Sequence, residues 1–291
     1  MTYYKKRINF EVFHVLTDGT GATEFLKELV SNYLYLAHQK EGLEPVSMLP
    51  EDMTVQDQES DSFLKYYSKD QKRPKERKTR AFQIRRKKKD GNHLHVHESV
   101  VSVKEVLKRS RELGVSMTVF LTAVFLKAIH EEMSKMQEKK PIVLMVPVNL
   151  RKFFPSTSML NFFNWIEPGY DFSKRDRSFE EVLGYTKDFF EEQLTKEKMS
   201  AHINDLLALE LHPILRLAPL ELKNLCINAG AKFSEKNTTA IFSNMSAVRM
   251  PDSYVSYIER LVCLPIRRSW SCACARLKIS YPSLLHPDTI P

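Results

Sequence analysis

The run Ile8-Asn9-Phe10-Glu11-Val12-Phe13-His14-Val15-Leu16-Thr17-Asp18-Gly19-Thr20-Gly21 changes periodicity partway along. Its first half alternates, with Ile8, Phe10 and Val12 on one side and Asn9, Glu11 and Phe13 on the other, the pattern of a short strand. Beyond it, Phe25, Leu26, Leu29, Val30, Tyr33, Leu34 and Ala37 recur at three- and four-residue spacing, so an amphipathic helix opens at Thr20-Gly21. Between the two lies H-x-x-x-D-G on a strand-to-helix turn. Gly19 and Gly21 allow positive φ or a close backbone approach there. Histidine titrates near neutrality, so His14 is a plausible general base. The local pattern alone leaves open a histidine that is merely hydrogen-bonded into the structure.

Working outward, the coarse order is a strand near 93–101, helices over 103–113 and 118–135, and strands over 142–150 and 161–166. Gly114 stops the first of these helices, and Pro141 precedes the long apolar strand. Ser178 caps a further helix, with Glu181 at the capping-box position. Helical stretches fill 200–230 before a strand from Thr238 to Val248. Strands and helices that do not alternate regularly indicate an α+β chain and not a doubly wound sheet.

A chain of 291 residues with 43% hydrophobic content can bury one or two cores. No segment looks like a signal peptide. Residues 115–129, the longest apolar stretch, are interrupted by Ser116 and Thr118 and fall short of the ~20 residues of a membrane span, so they read as a buried helix. Cys226, Cys263, Cys272 and Cys274 lack zinc-site spacing and are too few for a disulfide scaffold, which fits a reducing cytoplasm.

The net charge is +8, yet residues 72–89 hold eleven Lys/Arg against the single Glu76. Basicity therefore belongs to that segment and not to the fold. Phe82 is the one aromatic residue in the run, so the stacking platforms of a single-strand nucleic-acid binder are missing; a solvated loop, or contact with the phosphates of a nucleotide-like substrate, fits better than nucleic acid. His93, His95 and His97 alternate and would share one strand face. Tetrahedral zinc wants three or four ligands, and no Cys or carboxylate cluster accompanies them, so an exposed strand face is preferred and no metal is expected.

Together with Val146-Pro147-Val148-Asn149-Leu150-Arg151 and Thr238-Thr239-Ala240-Ile241-Phe242-Ser243-Asn244, the opening run resembles the CoA-dependent acyltransferase superfamily. That group shares the chloramphenicol acetyltransferase-like fold and includes alcohol acyltransferases and peptide-synthetase condensation domains. The resemblance implies a two-domain α/β sandwich with a site in a tunnel between similar halves. It implies that His14, Asp18 and Gly19 are the catalytic motif, with His14 as general base. Asp18 would shape the loop by pairing with an arginine, for which Arg151 is the candidate, and Ser243 and Asn244, read on a strand-ending turn, are the oxyanion candidates. Acyl-CoA would be co-substrate, not a permanently bound cofactor, and the acceptor a small alcohol or amine.

Condensation domains carry two adjacent histidines, whereas Phe13 precedes His14 here, which favours a free CoA thioester over a carrier-bound donor. A carrier protein stays possible as a partner. The motif begins almost at Met1, so the first domain reads as truncated. Residues 1–50 then end the first half, 51–92 form a charged crossover linker, 93–262 the second half and 263–291 a divergent tail. A catalytically inactive remnant of the fold is the competing expectation. Phe153-Phe154 and Phe162-Phe163-Asn164-Trp165 flank the tunnel in the family reading, or are ordinary core.

Overall fold

A computed structural model describes residues 1–47, 54–68, 79–84, 97–261 and 271–277. Two short strands, β1 (Thr2–Tyr4) and β2 (Arg7–Asn9), pair as an antiparallel hairpin, and helix α1 (Gly19–Ala37) follows. The expected strand through Phe13 ends at Asn9. The β1–β2 ladder closes with Thr2 opposite Asn9, and among the described residues no strand pairs with residues 10–17, which form a loop. His14 is thus on a loop and not at a strand end.

Helices α2 (Val55–Glu59) and α3 (Ser62–Lys65) come next, then α4 (Val103–Glu112) and α5 (Met117–Glu131). Strands β3 (Ile142–Asn149), β4 (Phe163–Ile166) and β5 (Gly169–Tyr170) precede helices α6 (Phe179–Gln193), α7 (Lys196–Glu210), α8 (Pro213–Leu217) and α9 (Leu220–Glu235). Strand β6 (Ala240–Val248), helix α10 (Asp252–Val255) and strand β7 (Ser271–Leu277) complete the order. Residues 97–101, expected as the end of a strand, are not in one, and His93 and His95 lie outside the described residues.

The main sheet is mixed. β3 pairs antiparallel with β4 and, in the same register, with β5; Leu144 donates to the Pro168 carbonyl across the break between them. Pro168 has no N–H to return a bond, so one long strand is divided in two. On its other side β3 runs parallel to β6 through Leu144–Ala240 and Met145–Ile241, and Pro147 lies outside that pairing. β6 pairs parallel with β7, which places part of the segment read as a divergent tail at the edge of the described sheet.

The core gathers Val119, Ala123, Leu126 and Ile129 of α5 with Ile142, Leu144 and Val146 of β3, and Val182, Leu183 and Phe190 of α6. The stretch 115–129 accordingly forms most of a buried-faced helix. Among the described residues no single helix is long and apolar enough to cross a membrane. The α6 cap is half of what was expected: Ser178 Oγ accepts from the Glu181 N–H, but the Ser178 N–H donates to Asp176 Oδ1 and not to Glu181.

Residues 51–92 are not uniformly a solvated linker. Ala81 and Phe82 are buried, with the Ala81 N–H donating to Lys236 and the Phe82 N–H to Pro141. The apolar content of that short stretch outweighs its basic neighbours. Earlier in the same segment, α2 and α3 pack on the loop that follows β3: the Met159 N–H donates to Gln58, and Tyr66 Oη to Pro155 at 2.5 Å.

Candidate active site

Asp18 is the N-cap of α1, with extended backbone (φ −89°, ψ −179°). Its Oδ1 accepts from the N–H groups of Thr20 at 3.0 Å and Gly21 at 3.1 Å, satisfying donors that a helix start leaves unpaired. Its Oδ2 accepts from Arg151 Nη1 at 2.6 Å and from the Phe162 N–H at 2.9 Å. Four donors thus converge on a carboxylate that is 4% exposed. A charge this buried requires such compensation.

Arg151 sits in a single 3-10 turn, Leu150–Lys152, that begins where β3 stops. Asn149 builds the turn by accepting from the Arg151 N–H at 3.0 Å, while its Nδ2 donates to Thr20 Oγ1 at 3.1 Å. The remaining guanidinium donors reach the main chain of the next loop: Nη2 to Ser158 at 2.7 Å and to Leu160 at 2.9 Å. Thr17 Oγ1 donates to the Met159 carbonyl at 2.6 Å. Residues 158–162 are therefore a strap read from one side by the motif and its arginine.

The glycines act through close approach and not through positive φ, which among the described glycines is confined to Gly42 and Gly114. A Cβ on Gly21 would lie 2.2 Å from Thr17 Oγ1 and 2.4 Å from the Met159 carbonyl oxygen. On Gly19 it would lie 3.1 Å from the Met245 sulfur.

His14 is exposed. Its imidazole packs at 48° against Phe163, with ring centroids 5.2 Å apart, and makes no hydrogen bond among the described residues. Its main chain is held instead: Asn161 Nδ2 donates to the carbonyls of His14 at 2.8 Å and Val15 at 2.9 Å. Phe13, Val15 and Leu16 beside it are also exposed, Phe13 at 72%. A histidine in this setting has a ring nitrogen available to take a proton from a bound molecule.

The matching family model is that of the alcohol acetyltransferases, over residues 2–162, a stretch holding His14, Asp18, Arg151 and the strap. The chain belongs to the alcohol acetyltransferase family. The resemblance to the CoA-dependent acyltransferase superfamily thus holds. Among solved structures, that of F. sporotrichioides TRI101 complexed with coenzyme A and T-2 is similar over 79% of this chain and 50% of that one, at 12% identity and a TM-score of 0.37. The chain therefore spans about half the length of that structure. No curated protein matches.

In this alcohol acetyltransferase family chain Ser243 and Asn244 lie within β6 and not on a turn at its end. Both pair regularly with β7, before a register shift that falls between Asn244 and Ala247. Successive strand residues face opposite ways, so the two side chains do not converge on one point. Asn244 Nδ2 donates to Thr118 Oγ1 on α5 at 3.0 Å. Ser243 is two residues from Met245, the residue against Gly19. The aromatic clusters divide: Phe154 and Phe162 are buried in the core, whereas Phe153, Phe163 and Trp165 are half-buried. Among the described residues no His, Cys, Asp and Glu group could hold a metal ion. Asn161, expected to open a strand over 161–166, lies ahead of β4, which begins at Phe163; its part in the strap was not foreseen, and the one signal was Ser156 and Ser158 in the connection from β3.

Proposed function

We propose that the chain transfers an acyl group from a CoA thioester to a small alcohol or amine, with His14 as general base. The observation that carries this is an exposed imidazole with no hydrogen bond of its own among the described residues, on a loop fixed by a buried Asp18–Arg151 pair. His14 takes the proton of the acceptor hydroxyl as its oxygen attacks the thioester carbonyl carbon. The tetrahedral intermediate collapses with cleavage of the C–S bond, and the departing thiolate recovers the proton from His14. Asp18, with both oxygens occupied by donors, shapes the loop and moves no proton. Ser243, on the β6 face opposite Asn244, is the stronger of the two oxyanion candidates. Family membership supports an alcohol as acceptor.

The exposed Phe13, Val15 and Leu16 around His14 favour a second reading. Apolar side chains at a site that must exclude water call for a further wall over the loop. On that reading the chain alone is catalytically silent.

The test is free-thiol release from acetyl-CoA and longer acyl-CoAs, offered with short alcohols and primary amines, comparing the chain with His14→Ala. Acceptor-dependent release that disappears in the variant is expected. Equal release from both proteins would overturn His14 as base, and no release from a folded chain would favour the silent reading.

A further inference from the structure

We infer that Asn161 is a positioning residue for His14, holding the loop from which the imidazole projects. The inference rests on His14 being the base. Residues 10–17 follow the end of the β1–β2 ladder, and the backbone constraint within the loop near the histidine is a turn bond from the Leu16 N–H to the Phe13 carbonyl at 2.9 Å. With no hydrogen bond on the ring among the described residues, its place depends there on the main chain beneath it and on Phe163 beside it. Asn161 spends both amide hydrogens on that main chain, one on the His14 carbonyl and one on the Val15 carbonyl. The amide orientation is forced, because the flipped form would set an oxygen against two carbonyl oxygens.

Asn161 is itself held from both sides. Arg151 Nη2 binds the Leu160 carbonyl before it, and Asp18 Oδ2 accepts from the Phe162 N–H after it. Phe163 lies two residues beyond, at the start of β4, and extended chain directs alternate side chains to one face. One segment therefore supplies both the clamp on the backbone of His14 and the surface on which its ring rests. The same carboxylate–guanidinium pair fixes that segment and the start of α1, so the motif aspartate governs the histidine through Asn161.

A proton acceptor displaced by an ångström loses most of its advantage while substrate binding is untouched. The test compares Asn161→Ala and Asn161→Asp with Ser31→Ala, which removes a hydrogen bond to the Val46 carbonyl away from the motif. Turnover of acetyl-CoA with the best alcohol of the panel, melting temperature, and the NOE between the His14 imidazole and the Phe163 ring are measured in each. Both Asn161 variants are expected to lose kcat by ~10²-fold at unchanged KM for acetyl-CoA, and to lose the NOE. Ser31→Ala should keep both. An Asn161→Ala protein with the wild-type NOE overturns the inference, as does a loss of kcat no greater than that of Ser31→Ala. If His14→Ala retains turnover, the assignment of the base fails while the NOE still decides whether Asn161 holds the ring.

Discussion

Gly21 occupies the first turn of α1, where a glycine ordinarily costs about 0.5–1 kcal/mol against alanine. Here the balance reverses. The alanine methyl would overlap Thr17 Oγ1 and the Met159 carbonyl, the two atoms whose hydrogen bond joins the motif loop to the strap. One of them is backbone and cannot swing away. Gly21→Ala should therefore lower stability by about 1–3 kcal/mol, as overpacking does. In Gly184→Ala, on α6 with open space around the new methyl, it should rise by about 0.5–1 kcal/mol. Urea denaturation of the two variants checks both signs, and a stabilised Gly21→Ala protein would contradict the close approach. Gly19 faces the flexible thioether of Met245, so its substitution by alanine should be felt less than that of Gly21.

At the scale of elements, the amino end of α6 is organised by Asp176. Its carboxylate accepts from Ser178 Oγ at 3.0 Å and from the N–H groups of Ser178 and Arg177, and these bonds hold its pKa below the ordinary 3.8. A carboxyl with a depressed folded-state pKa contributes stability above its unfolded value, and loses it as pH falls through the folded one. The melting temperature should therefore drop as pH falls below about 3.8, and Asp176→Asn should flatten that part of the profile while lowering stability at neutral pH. An unchanged profile would remove Asp176 from the capping arrangement. The reason this helix was legible from sequence is the same local chemistry: Ser178 followed by an apolar stripe states a helix start. The same holds for α1, α4, α5 and β3, whose periodicity is complete within each segment. The pairing of Asp18 with Arg151 was legible through the family resemblance. The strand expected over residues 8–13 was not, because alternation specifies a face and says nothing of whether a partner strand exists to pair with it. The strand expected from Thr238 to Val248 is β6, and the turn read at Ser243 and Asn244, residues that favour turns, is absent because pairing with β7 keeps them extended.

At the scale of the molecule, the contact between Asp18 and Arg151 spans 133 positions and ties the amino-terminal loop and α1 to the end of the central strand. A second seam runs farther along the same helix, where Leu34 and Leu43 pack on Tyr254 and Tyr254 Oη donates to the Glu44 carbonyl at 2.5 Å. With two such seams, residues 1–47 and the main sheet should unfold together in one transition. The buried pair is the more demanding of the two, because removing either partner leaves the other's charge uncompensated, at a cost of about 3–5 kcal/mol. Asp18→Asn and Arg151→Gln should each destabilise by that order, and the double variant by less than their sum, since the second substitution removes the charge stranded by the first. The coupling is read from urea midpoints of the four proteins. Additive losses would mean that the two side chains act separately. A wild-type chain melting in two steps would mean that the pair joins units that fold on their own, and Asp18→Asn would then shift the step belonging to α1 alone.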